Sequence, residues 1–165
     1  KVQIEMKKVW KIIKPEKYKN VTDCIKAIKK KKVYISPWIE NIIKNKKNKI
    51  TITKKTVYLF RVKVSSLGFK KPTQLKNIYQ KLKQKGFKLV PPDIAFRSRL
   101  QYHEQKTGEW LRFATPMNSL IDSDGVPHLP KLGKALNSFF IETYWSYSKA
   151  IFHPHNEFVA MKHDI

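Results

Sequence analysis

The chain has 165 residues, 41% of them hydrophobic, and a formal net charge of +23. That length fits one domain or two very small ones, with enough apolar material for a core that needs no staples. A single cysteine, Cys24, excludes an intramolecular disulfide framework and a Cys-rich zinc site, and no apolar run approaches the roughly 18 residues of a membrane span.

The charge is not evenly spread. Residues 1–90 hold 27 Lys and Arg against 4 Asp and Glu, whereas residues 91–165 hold 8 of each. The excess therefore lies in the first part, and the five histidines lie in the second. We expect an α+β protein in which a basic, helix-containing part (1–90) packs beside a charge-neutral, antiparallel β-rich part (91–165), either as two units or as one single domain.

The segment KVQIEMKKVWKIIK is basic but lacks the apolar core and cleavage site of a secretory leader. Because it starts at Lys1, a few residues or a processed leader are expected to precede it. Cytoplasm is the default expectation, with no membrane partner. Residues 8–14 read as a short strand. In NVTDCIKAIKKKK, Val21, Cys24, Ile25 and Ile28 share one helical face, with Asn20 or Thr22 as N-cap and Asp23 in the first turn. VYI is a brief extended stretch. Ser36 caps a second helix with Pro37 at its first position and a stripe of Trp38, Ile39, Ile42 and Ile43.

A basic loop spans 44–49. ITIT and TVYLFRVKV follow as strands, the latter placing Tyr58, Phe60, Val62 and Val64 on one face. KPTQLKNIYQKLKQKG is the clearest helix. Thr73 caps it, Leu75, Ile78, Tyr79 and Leu82 form its stripe, and Gly86 ends it. Pro91-Pro92 reads as a boundary. RLQYHE and EWLRFAT read as hairpin arms joined by QKTG. SDG is a turn, and NSFFIETYWSY and EFVAMK are strands, with Phe139, Ile141, Thr143 and Trp145 expected to be buried.

The candidate chemistry divides into cations and a polar strip. Of 35 basic residues only Arg61, Arg97, Arg99 and Arg112 are arginine. The lysine excess, with Asn- and Ile-rich stretches such as IENIIKNKKNKITI, fits either a phosphate-binding surface or the coding bias of an AT-rich genome. The first reading makes the chain a non-enzymatic binding module for RNA or DNA. Lys44, Lys46, Lys47, Lys54, Lys76, Lys81 and Lys83 would contact the backbone.

The second reading is a hydrolase or nuclease using Arg99, His103, Glu104, Glu109 or Asp122, provided those groups converge. His103-Glu104 is not an HExxH zinc site, since position 107 is Thr. Alternation in a hairpin would place the two on opposite faces. Asp122, Asp124 and Gly125 imitate a calcium loop, but Val126, Pro127 and Gly133 stand where ligands, glycine and glutamate are needed. His153 and His155, with His128 or His163, could supply a metal, although Pro154 disfavours a paired strand there. We expect no metal and no cofactor. No GxSxG, Walker A or GxGxxG motif occurs.

The aromatic residues of the second part (Tyr102, Trp110, Phe113, Phe139, Phe140, Tyr144, Trp145, Tyr147, Phe152 and Phe158) could stack on bases, although core is the expected role for most. A third reading is a protein partner docking on the surface around Tyr144–Phe152.

Several pieces taken together resemble an uncharacterised family of small bacterial proteins. They are SSLGF, NIYQKLKQKGFKLVPPD, RLQY followed by Gln, GEWLRFATPM, IDSDG and HPHNEFVAM, with WKIIK and IKKKKVYISPWIENII in the first part. The likeness covers most of the chain and implies no activity and no catalytic residues. Relatives look less lysine-rich, which would assign the +23 to this member. The likeness also implies that the NIYQKLKQKG helix and the RLQY–DSDG region form one unit.

Overall fold

A computed structural model describes residues 8–162; the leader question at Lys1 and the candidate ligand His163 lie outside them. The fold is α+β. Its strands are β1 (Lys11–Ile13), β2 (Tyr34–Ile35), β3 (Val57–Lys63), β4 (Thr73–Gln74), β5 (Trp110–Phe113), β6 (His128–Ala135), β7 (Ser138–Trp145), β8 (Ile151–Phe152) and β9 (Glu157–Lys162). Its helices are α1 (Val21–Lys30), α2 (Pro37–Lys44), α3 (Leu75–Gln84) and α4 (Pro92–Gln101). A mostly antiparallel seven-stranded sheet has the order β1-β3-β9-β5-β6-β7-β2, and β4 and β8 form a separate pair. Strands of the neutral part hold the centre. Basic-part strands flank them, through β3 on β9 and β2 on β7.

The sheet has two cores. On one face Leu59, Leu111, Leu132, Ile141 and Val159 lie under α1 and α4. On the other, Phe60, Val62, Phe158 and Ala160 lie under α3. Strand β3 therefore has no solvent face. Val57 and Leu59 are buried on one side, and Phe60 and Val62 on the other.

The helix stripes hold. Val21, Cys24, Ile25 and Ile28 are buried on α1, and Leu75, Ile78, Tyr79 and Leu82 on α3. Burial also pushes the Cys24 thiol up to about 12, so it sits as a neutral core group. Asn20 is the α1 cap, accepting from Asp23 N–H at 3.0 Å. Ser36 caps α2, but Trp38 stands 47% exposed rather than in the stripe. Thr73 does not cap α3; Gln74 occupies that position without a side-chain bond, and Thr73 belongs to β4.

Three further expectations fail, and one strand has no counterpart among the expected elements. RLQY is not a hairpin arm: Pro91 and Pro92 stand at the N-cap and first position of α4, a place proline favours. Helix α4 is buried from Asp93 to Leu100, charges included, so it lacks the amphipathic stripe that marks a surface helix. Its Arg97 pairs with Asp93 one turn earlier at 3.3 Å. Arg97 also donates to the backbone carbonyls of Thr53 and Lys14.

ITIT is not a strand, because Thr53 spends its N–H and hydroxyl on the Asp93 carboxylate at 2.8 and 2.6 Å. Strand β6 was hidden by Pro130 and Gly133, residues that argue against a central strand. In β7 only Ile141 of the expected set is buried, and Trp145 is 54% exposed.

Candidate functional site

The loop after α2 is built by asparagines. Asn45 Nδ2 donates to the carbonyls of Ile121 and Asp122 at 2.9 and 3.2 Å. Asn48 donates to Ile42 and Ile121 and accepts from Ile121 N–H. Asn41 exchanges two bonds with Ser123. These side chains staple α2 and its loop to the 121–125 turn, and they enclose a hollow of about 520 Å³. Lys44, Lys46 and Lys47 stand at its wall, with Ser123 and Gly125 opposite. Among the described residues none of these three lysines is held in an ion pair. Asp122 also lines the hollow, with its carboxylate bonded to His128 at 2.8 Å, and Glu40 pairs with Lys29 at 2.6 Å.

Beneath the hollow lies a buried polar chain. Asp122 Oδ1 accepts the N–H groups of Asp124 and Val126, both at 2.9 Å. Its Oδ2 meets His128 Nε2 at 2.8 Å, and His128 Nδ1 meets Thr143 Oγ1 at 3.0 Å. Burial alone would raise the Asp122 carboxyl, but the bonds from His128, Val126 and Asp124 outweigh it and hold the group below its ordinary value. Trp38 stacks on His128 with centroids 5.5 Å apart. With Thr143 and Trp145 they line a recess of about 270 Å³. Both ring nitrogens of His128 are occupied, and the ring is 3% exposed. The pair locks the turn that forms the lysine hollow. Sequence reasoning placed Asp122 in this turn but missed His128 as its partner, six residues away across the bend.

Of the five polar candidates, Arg99 and Glu109 share Gln105 and Tyr102 as neighbours, whereas Glu104 and Asp122 have other partners and His103 is exposed. Arg99 is buried, and burial pulls its pKa down to about 10. It donates to Gln105 Oε1 and to the carbonyls of Gly133, Phe140 and Tyr102, tying α4 to β6 and β7. His103 is exposed. Glu104 is exposed and pairs with Lys11 at 3.0 Å. Glu109 accepts from Arg61 at 3.0 Å and from the Tyr102 hydroxyl at 2.6 Å, while Arg61 grips Glu157 with two bonds of 2.6 and 2.7 Å. Burial, then Glu109, pushes Tyr102 up to about 12. Asp122 belongs to the His128 chain. Among the described residues no three His, Cys, Asp or Glu side chains gather as a metal site, and His153 and His155 stack on each other in a turn.

The other lysines lie elsewhere. Lys76 and Lys83 border an apolar groove of about 660 Å³ along α3, with Tyr79, Phe87 and Leu89. Lys81 is half-buried on the same helix, and Lys54 is exposed in the loop before β3. Helix α3 packs on the opposite sheet face from Ile39 of α2, so the seven lysines do not share one surface. No described helix is long and apolar enough to cross a membrane. No known protein family, curated protein or solved structure matches this chain.

Proposed function

We propose that this protein binds nucleic acid through backbone phosphates, with Lys44, Lys46 and Lys47 as the principal contacts. The observation that carries this reading is the asparagine-stapled hollow, whose wall is lined by three lysines, none of them held in an ion pair among the described residues. Preorganised cations in a concavity concentrate field and favour an anion over scattered surface lysines. The lysines of α3 and Lys54 add longer-range attraction. Because lysine is a point charge, such contacts position a backbone and read little sequence.

A hydrolase would need the polar candidates at one place. Glu104, Glu109 and Asp122 instead engage Lys11, Arg61 and His128 respectively, which favours the binding reading.

The test is a binding titration across salt with the combined substitution Lys44→Glu, Lys46→Glu and Lys47→Glu. The expected result is weaker binding and a shallower dependence of log K on log salt. The slope should fall by about 0.7 for each single-strand phosphate that the variant no longer neutralises. Unchanged affinity and slope, in a variant with the wild-type circular dichroism spectrum, would overturn the proposal.

A further inference from the structure

The sheet face that α3 covers is closed at one end only. Helix α3 and the 64–67 turn lie over β3 and β9. Towards β5, β6, β7 and β2, beyond the buried Leu129, the side chains on this face remain half-exposed or exposed. Alternation fixes which they are. Leu111, Leu132 and Ile141 point into the other core, so Trp110, Arg112, Lys131, Gly133, Phe140, Glu142 and Tyr144 point here.

Register sorts these residues into rows across the strands. Trp110 pairs with Gly133, Gly133 with Phe140, and Phe140 with Tyr34. The middle position has no side chain, and the Trp110 ring fills it. A Cβ on Gly133 would lie 2.3 Å from two Trp110 ring carbons. The ring thereby reaches Phe140 at 6.0 Å between centroids, and Phe140 reaches Tyr34 at 5.2 Å. Three rings thus run unbroken across four strands, ending on Tyr34, 47% exposed at the sheet edge.

The neighbouring row is Arg112, Lys131 and Glu142. Among the described residues Arg112 is in no ion pair, and its buried Nε has no hydrogen-bond partner. Its guanidinium lies 5.9 Å from the Tyr144 ring centre. Lys131 Nζ lies 4.8 Å from the centre of Trp110 and 5.8 Å from that of Tyr144. Two cations side by side on adjacent strands, facing one carboxylate, are a poor arrangement for the free protein. Desolvation and Arg112 both disfavour the charged form of Lys131. An anion placed between the two would relieve both.

We propose that the row Trp110–Phe140–Tyr34 is a stacking platform for single-stranded nucleic acid, with Arg112 and Lys131 receiving the phosphates beside the stacked bases. This rests on the nucleic-acid reading above and gives it a substrate class. Unpaired bases present free faces to aromatic rings, whereas a duplex keeps its bases inside its own stack. Stacking of this kind tolerates any base, so selectivity is for strandedness rather than sequence.

The experiment uses the full chain and a labelled single-stranded RNA of about ten nucleotides, a length within the range one sheet-based site spans. A duplex of the same sequence and heparin serve as the comparison ligands. Trp110→Ala and Phe140→Ala are each expected to weaken single-strand binding by roughly 5- to 150-fold, the range for removing one stacked ring. Heparin binding should be unchanged. Trp110→Phe, which keeps a ring over Gly133, should restore most of the affinity, and this separates stacking from damage to the sheet. Arg112→Gln should weaken the single strand and spare the fold.

Single-strand affinity unaffected by both alanine variants, but abolished by the Lys44/Lys46/Lys47 reversal, overturns the platform and leaves backbone binding standing. A parallel loss of RNA and heparin binding in Trp110→Ala also overturns the platform. If wild type binds none of the three ligands, both readings fall together.

Discussion

The two faces of the central sheet are made by the same strands and treat charge in opposite ways. Under α1 and α4 the face is continuous apolar core, and its three arginines are engaged. Arg97 is held by Asp93, Arg99 by Gln105 and backbone carbonyls, and Arg61 by Glu157 and Glu109. On the other face, past the end of α3, Arg112 and Lys131 lie among rings with no ion pair among the described residues. A buried arginine with satisfied partners is architecture, because desolvation is tolerable only when the bonds are made. A half-buried one without partners is poised for an incoming anion. This chain has four arginines among 35 basic residues, and three of them serve structure.

Removing one arginine from each face separates the two kinds of site. Arg97→Ala strands the fully buried Asp93 carboxylate and is expected to cost about 3–5 kcal/mol, read by urea denaturation. Next in size, Leu132→Ala on the closed face should cost about 2–5 kcal/mol through a core cavity. Gly133→Ala, at the next position along the strand and on the open face, should cost about 1–3 kcal/mol by forcing Trp110 off the strand. It should also shift tryptophan emission. Arg112→Gln is expected to change stability by less than about 1 kcal/mol. A destabilisation as large as that of Arg97→Ala would make Arg112 structural after all.

The Asp122–His128 lock has a pH signature. Its carboxyl is held below the ordinary value in the folded protein, so its stabilisation is complete above the unfolded value, about 4. It is lost as pH falls through the lower folded value. Asp122→Asn should be less stable than wild type at neutral pH, by about 1–3 kcal/mol. The gap should close in acid, and a gap that widened there would contradict the assignment. The smallest effect is at the β6–β7 turn. Leu136, 92% exposed, adopts φ 49°, and Leu136→Asn should stabilise the hairpin by about 0.5–1 kcal/mol, seen as a raised Tm.

Helices with one apolar face were legible in the sequence, and so was the hairpin strand β7. What stayed hidden were elements buried on every side. Helix α4 carries Asp93, Arg97 and Arg99 inward, which reads as a polar surface until the partners are known. Strand β6 contains Pro130 and Gly133, and the glycine is there to admit the Trp110 ring. The candidate site was half legible. Lys44, Lys46 and Lys47 were picked out by charge, and the asparagines among them, which fit coding bias equally well, turn out to be the staples of the loop. Arg99, His103, Glu104 and Glu109 are close in sequence, but α4 ends between them: Arg99 and Glu109 share neighbours, while Glu104 pairs with Lys11 and His103 is exposed. The aromatic row depends on register across four strands, which no local pattern encodes.

The most direct test follows the four tryptophan indole N–H signals by NMR while single-stranded RNA is added at about 150 mM salt. Trp10 packs against Tyr102 and Phe113 in the closed core, Trp38 and Trp145 border the His128 recess, and Trp110 lies on the open face. The Trp110 signal is expected to move together with the backbone amides of residues 44–48, while Trp10 stays in place. RNA binding that leaves Trp110 and those amides unmoved would contradict binding at the platform and the hollow.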